Sequence, residues 1–457
     1  MSIIIRNYWK YFKREYYESY LLQKKIRGLP LDEIKKIQWK RLKNLLNYVY
    51  MHNDFYKEYF DSVNIDPNRI NSPSDFLKLP ITEKKDYIKN FKKIVNSDIK
   101  KQDYIIATTS GSTGEPFEHY MDKKKELVNT EMAFMLNMES VGIDPFKGNN
   151  ELVILFKPRN EIVNFKRPPK KKLKNRIVYS FFPESFEIRG YTITKENTQD
   201  LIKLIKDNKI KSIYGIASSI LNLAQFIDNG QNLKLKYIIT MGEELLDYQR
   251  LYISQTFKCP VFMDYGSSEC MRMGFECNYH NGFHMDIFNY YFEFIKNEPI
   301  YGNSNTYNLI VTNLNNYLFP FIRYKTNDSV EFLDQSCNCG NNFPKVNKIF
   351  GKSIIGFTAP NGYRISSVDI AAFFEHYHKR SQAVRQFQVI QKDQKTMIIK
   401  IIPTEIFNEG IKKDIEVTMS KLVQGSMKIE VMPVDKIKTE QSGKTKVLIL
   451  KEDYEKY

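Results

Sequence analysis

The chain has 457 residues and a mass of 54.1 kDa, a length that predicts roughly two to four structural units rather than one small domain. Apolar residues make up 42% and aromatic residues 14%, which excludes a wholly disordered chain. Lys and Arg (69) outnumber Asp and Glu (53), and the net charge of +16 permits acidic partners such as phosphates or an anionic polymer. The lysines are spread along the whole chain, which favours an ordinary solvated surface.

Cysteine content and hydropathy favour a reducing, cytoplasmic setting. The chain has 5 cysteines, too few for a disulfide framework at this length. The apolar run before Arg6 is shorter than a secretory signal needs. No stretch approaches the roughly 18–20 apolar residues of a membrane span. We therefore expect neither a signal peptide nor a transmembrane segment.

Hydrophobic periodicity gives the order of the predicted elements. Apolar residues from Ile34 to Val49 recur at helical spacing and predict a helix over residues 33–60. Residues 104–109 predict a strand that leads into a glycine-rich turn. Strands predicted at 152–156, 212–216, 237–240 and 261–265 then alternate with helices predicted at 197–208, 217–229 and 246–257. This alternation is typical of a mostly parallel, covered sheet.

The pattern changes twice in the second half of the chain. Strand-like runs at 290–295, 309–313, 319–324 and 330–333 predict a β-rich subdomain at about 285–350. From about residue 351, predicted strands at 385–392, 396–402 and 427–433 combine with helices at 366–378 and 410–422 in a β-α-β-β-α-β order. We therefore predict a large α/β domain over residues 1–350 and a small, mobile α+β domain over residues 351–457.

The glycine-rich turn is the most informative segment. It contains Thr109, Ser110, Gly111, Ser112, Thr113 and Gly114. The glycines let the backbone turn closely around an anion, and the hydroxyl groups can donate hydrogen bonds to phosphate oxygens. The Gly-Lys-Ser/Thr ending of a Walker A loop is missing. Taken alone, such a segment is more often an ordinary polar loop than a nucleotide site.

This turn and several other segments resemble the adenylate-forming superfamily. Within it, the chain is most similar to the phenylacetate–coenzyme A ligase family and its relatives from capsule biosynthesis. The segments that carry the resemblance follow the family's order: Trp39–Leu42, Asn53–Tyr56, Leu79–Lys84, Thr108–Pro116, Met241–Leu245, Asp264–Glu269, Phe321–Asp328 and Gln441–Lys444. Each motif is moderately specific, and the ordered set covers nearly the whole chain.

The resemblance implies ATP-dependent activation of a small carboxylic acid as an acyl-adenylate, followed by transfer to a thiol, for which coenzyme A is expected. Besides the glycine-rich turn, it implies nucleotide contacts from Gly242, Glu243, Glu244, Asp264, Tyr265, Gly266, Ser267, Ser268 and Asp328. Tyr265 would stack on adenine, and Asp328 would accept hydrogen bonds from both ribose hydroxyls.

Three further residues are predicted to be catalytic. Glu269 follows a predicted strand end, where open α/β sheets place ligands, and a carboxylate there can hold Mg²⁺ against the phosphates. Arg323 would neutralise phosphate or orient Asp328. Lys444 would bridge the substrate carboxylate and the α-phosphate as negative charge develops.

Two departures from the family's pattern affect these expectations. Asn327 stands where the family has Gly, and Asn tolerates the left-handed backbone. Lys352 stands where relatives carry Arg, and the acidic hinge residues that follow it in relatives are absent. Alternation of the small domain between two catalytic positions is therefore the less secure expectation.

The cysteines suggest a second kind of site. Cys277 and His280 form a C-x-x-H pair, and Cys337 and Cys339 form a C-x-C pair. Two such pairs on turns predict a tetrahedral, structural Zn²⁺ site beside the nucleotide site. Cys270 and His284 are the alternative ligands, and Cys259 is expected in the core.

Other functions remain open from the sequence. The resemblance to capsule-biosynthesis relatives allows an amine acceptor, such as an amino sugar or amino acid, and hence an amide-forming ligase. A basic run at 166–174 allows a non-catalytic protein that binds an anionic polymer. No nucleic-acid-binding module is recognisable, so no nucleic-acid partner is expected. The sequence predicts neither the acid nor the oligomeric state.

Overall fold

The structure is a computed structural model. It describes residues 14–95, 100–108, 117–144, 150–155, 185–189, 193, 196–227, 231–296, 306–332, 337–351, 356–362, 364–438 and 445–456. Among these residues no helix is long and apolar enough to cross a membrane.

Helices and strands alternate through the middle of the chain, as predicted. The helices are α1 (Arg14–Arg27), α2 (Leu31–His52), α3 (Asp54–Asp61), α4 (Pro73–Phe76), α5 (Lys84–Lys89), α6 (Phe91–Ile94), α7 (Glu126–Ser140), α8 (Thr198–Asp207), α9 (Ala217–Phe226), α10 (Asp247–Phe257), α11 (Ser367–Ser381) and α12 (Glu409–Leu422). Short 3₁₀ helices lie at Pro67–Arg69 and Lys451–Lys456.

The strands of the larger part are β1 (Tyr104–Thr108), β2 (Glu118–Asp122), β3 (Asn150–Leu155), β4 (Ser185–Arg189), β5 (Ile210–Ile216), β6 (Tyr237–Met241), β7 (Val261–Ser267), β8 (Met271–Glu276), β9 (Phe283–Met285), β10 (Tyr290–Lys296), β11 (Thr306–Asn313), β12 (Tyr324–Phe332) and β13 (Lys345–Phe350). Those of the C-terminal part are β14 (Gly356–Thr358), β15 (Arg364–Ser366), β16 (Val384–Gln391), β17 (Thr396–Pro403), β18 (Lys428–Pro433) and β19 (Leu448–Ile449).

One eleven-stranded sheet runs through the larger part, in the order β10-β11-β12-β13-β9-β8-β7-β6-β5-β3-β4. The strands from β4 to β7 pair in parallel, as predicted from the alternation of strands and helices. The remaining neighbours in this order, from β7 through β8, β9, β13, β12 and β11 to β10, pair antiparallel. The β-rich segment is thus hydrogen-bonded to the parallel segment through β7 and β8. The mixed α/β class of the prediction is confirmed.

The helix predicted over residues 33–60 is two helices, α2 and α3. The predicted apolar face is the buried face, since Ile34, Leu42 and Val49 are fully buried. Asn53 interrupts it in an extended conformation, with φ of −140°. Its side-chain oxygen accepts from Tyr56 N at 3.1 Å. Asn is a preferred N-cap, so it ends one helix and begins the next.

The strand predicted at 319–324 is wrong. Pro320 and Arg323 lie in an irregular segment, and the strand β12 begins only at Tyr324. Proline cannot donate to a strand ladder, and Arg323 has a left-handed φ of 47°. This backbone pairs instead with Thr82: Thr82 N donates to Arg323 O, and Lys325 N donates to Thr82 O, both at 2.9 Å.

The C-terminal part builds its own four-stranded sheet, in the order β18-β17-β16-β19. The helices α11 and α12 and the strands β16 to β18 lie close to their predicted positions. Buried side chains such as Ile370, Phe374 and Ile399 form a core of its own. Tyr248, in α10 of the larger part, belongs to the same apolar cluster. This contact places the C-terminal part beside the segment that follows β6.

Candidate nucleotide and metal sites

Two predicted nucleotide-binding side chains contact each other, although their strands, β7 and β12, are not neighbours in the sheet. The hydroxyl of Tyr265, in β7, donates to Asp328 Oδ2, in β12, at 2.7 Å. Burial and the adjacent carboxylate of Asp328 raise the pKa of Tyr265 well above its ordinary value, so the hydroxyl keeps its proton. The structure thus brings the candidate adenine-stacking ring and the candidate ribose-binding carboxylate together.

The third predicted group, Glu269, lies half-buried just after β7. The hydroxyl of Tyr324 donates to Glu269 Oε1 at 3.0 Å. Burial and then the Glu269 charge raise the pKa of Tyr324, so it remains a donor. No role for Tyr324 was expected, although it lies within the segment Phe321–Asp328 that resembles the family's motif.

A buried histidine ties the strand after the glycine-rich turn to the same loop. His119, in β2, is fully buried, and its Nε2 lies 2.9 Å from the carbonyl oxygen of Ser268. A carbonyl oxygen only accepts, so Nε2 carries the proton. On the other side of the loop, Ser267 Oγ accepts from Cys270 N at 3.1 Å. The backbone just before Glu269 is therefore held by β2.

Backbone conformation explains two residue choices in these motifs. A Cβ atom at Gly266 would lie 1.9 Å from the carbonyl oxygen of Met271, so only glycine fits between β7 and β8. Asn327 has a φ of 62°, the left-handed conformation expected where the family has glycine. Asn adopts this conformation at low cost, and Asp328 keeps its position after it.

The turn after β6 contains Gly242, with φ of 76°, followed by Glu243 and Glu244. Glu243 accepts two backbone hydrogen bonds. Oε2 accepts from Ser218 N at 2.8 Å, and Oε1 accepts from Thr445 N at 2.7 Å. This turn therefore contacts both α9 and the C-terminal part.

Asp264, predicted as a nucleotide contact next to Tyr265, has its own set of partners. Successive residues of a strand face opposite sides of a sheet. Asp264 is buried and accepts from the hydroxyl of Tyr214 at 2.9 Å, and it forms an ion pair with Arg272. Its contacts are therefore separate from the pair that Tyr265 forms with Asp328.

Arg323, which was predicted to be catalytic, lies in a buried environment. The guanidinium is buried and pairs with Glu293, with Nη2 at 2.7 Å from Oε2. Nη1 donates to the carbonyl oxygens of Leu77 and Leu79. These contacts join β10 to the connector after α4. These contacts occupy the guanidinium, and its predicted catalytic role stays a prediction.

Several predicted positions lie outside the described residues. They include Thr109, Ser110, Gly111, Ser112, Thr113 and Gly114, Lys444, the connector at 352–355 and the basic run at 166–174. The strands β1 and β2, which flank the glycine-rich turn, form an antiparallel hairpin with Thr108 opposite Glu118.

Four side chains could hold a metal ion at the C-terminal end of β8. Ligand atoms of Cys277, His284, Cys337 and Cys339 all lie within 4.8 Å of one another. Cys277 Sγ lies 3.5 Å from Cys337 Sγ, and Cys339 Sγ lies 3.2 Å from His284 Nε2. Three thiols and one imidazole in so small a volume suit tetrahedral Zn²⁺.

The imidazole of this cluster is His284, not the predicted His280. His284 lies in β9, and its Nδ1 is 3.1 Å from the carbonyl oxygen of Phe343, which leaves Nε2 facing the thiols. Burial lowers the pKa of His284 to about 4, so the ring is neutral. His280 instead stacks on Phe262 and contacts Arg250 at 3.2 Å. The C-x-x-H spacing gave the wrong histidine, and His284 was the alternative.

Comparisons with known proteins agree with this fold. Residues 357–451 match the family model of the CapK C-terminal domain. Protein CapK of Staphylococcus aureus is 25% identical over 413 residues, covering 89% of this chain and 86% of that protein. The chain is a homologue of CapK and of phenylacetate–coenzyme A ligases. A phenylacetate–coenzyme A ligase of Thermus thermophilus is 22% identical over 352 residues, covering 73% of each protein.

Solved structures of a 2-hydroxyisobutyryl-CoA ligase share the fold over nearly the whole chain. Its postadenylation-state structure superimposes with a TM-score of 0.73 at 16% identity, covering 93% of this chain and 91% of that chain. Its thioesterification-state structure, at 17% identity and the same coverage, superimposes with a TM-score of 0.58.

Proposed function

We propose that this chain is an adenylate-forming carboxylate ligase that transfers the acyl group to the thiol of coenzyme A. The observation that carries the proposal is the grouping of Tyr265, Asp328 and Glu269 at the end of β7, with separate tyrosine hydroxyls donating to the two carboxylates. In open α/β sheets, ligands bind outside the carboxyl ends of the strands. The motif order and the shared fold support the same assignment.

The proposed reaction has two steps. A carboxylate oxygen of the acid attacks the α-phosphorus of ATP, and the bond from this phosphorus to the β-phosphate bridge breaks, releasing pyrophosphate. The thiolate of coenzyme A then attacks the acyl carbon, and AMP leaves with the oxygen that came from the acid. Asp328 would hold the ribose, Tyr265 would stack on adenine, and Lys444 would stabilise the negative charge at the α-phosphate.

Glu269 fits the role of a Mg²⁺ ligand. Tyr324 donates to one carboxylate oxygen, and monodentate coordination needs only the other. Bound Mg²⁺ would neutralise phosphate charge. The hydrogen bonds from Tyr324 to Glu269, and from His119 to the backbone before it, would fix the direction of this carboxylate before ATP binds.

We assign Cys277, His284, Cys337 and Cys339 to a structural Zn²⁺ site. These residues come from the end of β8, from β9 and from the turn before β13, which are neighbours in the sheet. Four protein ligands would complete a tetrahedral site, so no position would be left for substrate. The ion would link three segments of the antiparallel half of the sheet.

Residues from about 351 onward are proposed to form a separately folded unit that carries Lys444. Its own sheet and apolar core support this boundary. A cation on a separate unit can be present for adenylation and absent from the transfer step. The lack of acidic hinge residues after Lys352 leaves the means of reorientation open.

An amine acceptor is the alternative to coenzyme A. It is motivated by the resemblance to capsule-biosynthesis relatives, in which an amino sugar or amino acid would displace AMP. The first step would be the same, and only the nucleophile of the second step would differ. The acceptor can therefore be tested separately from the adenylation.

The experiment is a panel of carboxylic acids scored by ATP–pyrophosphate exchange, followed by product analysis with coenzyme A and with amines. The proposal predicts acid-dependent exchange without any acceptor, and thioester formation with coenzyme A. Exchange followed only by amide formation would overturn the choice of thiol. Salt-sensitive binding of an anionic polymer without exchange on any acid would favour the non-catalytic alternative.

A further inference from the structure

Glu243 connects parts of the chain that are far apart in sequence. Its carboxylate accepts from Ser218 N in the first turn of α9 and from Thr445 N, which is 202 residues further along the chain. The first N–H groups of a helix have no partner within the helix, so the bond to Ser218 also fixes Glu243 to α9. Hydrogen bonds to a carboxylate are stronger than those between neutral groups.

Apolar contacts lie directly beside this polar contact. Leu246 and Tyr248 pack into the core of the C-terminal part, with Phe357, Ile370 and Phe374 in the same cluster. Tyr248 is 6% exposed, so the contact is closed to water. The side chains of Glu243, Leu246 and Tyr248 therefore form the contact with the C-terminal part.

The segment 243–248 overlaps the turn that is assigned to the nucleotide. Gly242 and Glu244 flank Glu243, and Thr445 follows Lys444 directly in the chain. The bond at Thr445 therefore holds the residue that directly follows the proposed catalytic lysine in the sequence. The nucleotide site and the lysine-bearing loop thus share one anchoring carboxylate.

We infer that Glu243 is a positioning residue that anchors the loop after Lys444 on the larger part for adenylate formation. This inference rests on the proposed function, and it gives Glu243 a role other than direct nucleotide binding. Its two oxygens are engaged by backbone groups, one on each side of the boundary between the two parts. Adenylation therefore depends on Glu243 through Thr445, whereas transfer from a preformed adenylate does not.

Glu243→Ala removes both bonds, and Glu243→Gln leaves one acceptor oxygen for two N–H donors. The alanine variant should slow adenylate formation by roughly ten- to a hundredfold, as expected for the loss of a charge-assisted hydrogen bond. The glutamine variant should lie between it and the wild type. The KM for ATP and transfer from a supplied acyl-adenylate should stay close to wild-type values.

Asp247→Asn is the matched control, because Asp247 is an exposed carboxylate four residues along in the same segment. It should leave both half-reactions unchanged. Equal loss of both half-reactions in Glu243→Ala, or a large rise in KM for ATP with kcat unchanged, would overturn the positioning role.

Hydrogen exchange tests the anchor without any activity. The amide of Thr445 should be protected in the wild type and should lose protection in Glu243→Ala, while protection in the core strand β16 remains. Unchanged exchange at Thr445 would overturn the inference. If the wild type activates no acid but this loss of protection is found, the proposed function fails and the anchor stands.

Discussion

Two tyrosine hydroxyls hold the carboxylates on which the proposed reaction depends. Tyr265 donates to Asp328, and Tyr324 donates to Glu269. Each carboxylate is thereby restricted before substrate binds, and preorganised charge of this kind is the largest contribution that many active sites make. The role of Glu269 can be separated from folding, because its side chain is only half-buried.

Glu269→Gln keeps the shape of the side chain and an oxygen for Tyr324 but removes the charge. We expect acid-dependent pyrophosphate exchange to fall by about a hundredfold or more, because Mg²⁺ would lose the anionic ligand that holds it against the phosphates. Melting temperature should stay near the wild-type value. Glu409→Gln, an exposed change in α12, serves as the control. Unchanged exchange would contradict the metal-binding role.

Single-residue roles were predictable where the backbone constrained the residue type. The left-handed conformation at Asn327 followed from the substitution of a glycine position. The partners of Arg323 and His280 were not predictable, because they lie about 30 residues away in the sequence, at Glu293 and Arg250 respectively. Spacing alone cannot reveal such long-range partners.

At the scale of elements, the four-residue metal cluster joins β8, β9 and the turn before β13. Cys337→Ser and His284→Ala should each lower zinc content below the expected value of about one ion per chain, and both should lower the melting temperature, because metal binding adds to folding free energy. His280→Ala is a matched control that should keep its zinc. Zinc loss in His280→Ala with retention in His284→Ala would contradict the assignment.

The start of α7 contains a buried acid that predicts a pH dependence of stability. Burial raises the pKa of Glu126 to about 8 from 4.5. Its Oε1 accepts from Asn313 Nδ2 at 2.6 Å. Between these pH values the folded chain keeps the proton and the unfolded chain loses it, so this group lowers stability as pH rises.

Glu126 lowers the free energy of unfolding by at most about 1.4 kcal/mol per pH unit in that window. The effect vanishes above about pH 8, where Glu126 is ionised in both the folded and the unfolded chain. Between pH 5 and pH 8, the urea concentration at the midpoint of denaturation should fall less with rising pH in Glu126→Gln than in the wild type. Urea denaturation at several pH values measures this. An equal slope in both proteins would show that Glu126 is ionised in the fold.

Elements were predicted well where periodicity was long, as in α2 and the strands β5 to β7. The wrong strand at 319–324 shows what periodicity misses. Apolar residues such as Phe319 and Phe321 are buried there, but the segment forms no regular strand, and the backbone at its end, at Arg323, bonds to Thr82. An irregular buried segment and a strand have the same hydrophobicity, and only the distant partner distinguishes them.

At the scale of the whole molecule, the ordered motifs were enough to predict the superfamily fold, whereas the continuity of the sheet was not apparent. The change at residue 285 indicates a separate subdomain, yet β7 and β8 join the parallel and antiparallel strands in one sheet. Composition records the type of each strand. It does not record which strands become neighbours.

Lys444→Ala tests the division of labour between the two parts. We expect adenylate formation to fall by about 10²–10³-fold, because the developing charge at the α-phosphate loses its cation. Transfer from a supplied acyl-adenylate should change much less, and so should ATP affinity, since most phosphate contacts are assigned to the larger part. Equal loss in both half-reactions would mean that Lys444 is structural.

The most direct test of adenylation follows the oxygen atoms of the acid. An acid that the chain accepts is labelled with ¹⁸O in its carboxylate and incubated with ATP and coenzyme A, and AMP is analysed by mass spectrometry. The mechanism predicts one ¹⁸O atom in AMP, because the bridging oxygen of the acyl-adenylate comes from the acid. Unlabelled AMP, or ADP as the product, would contradict the account.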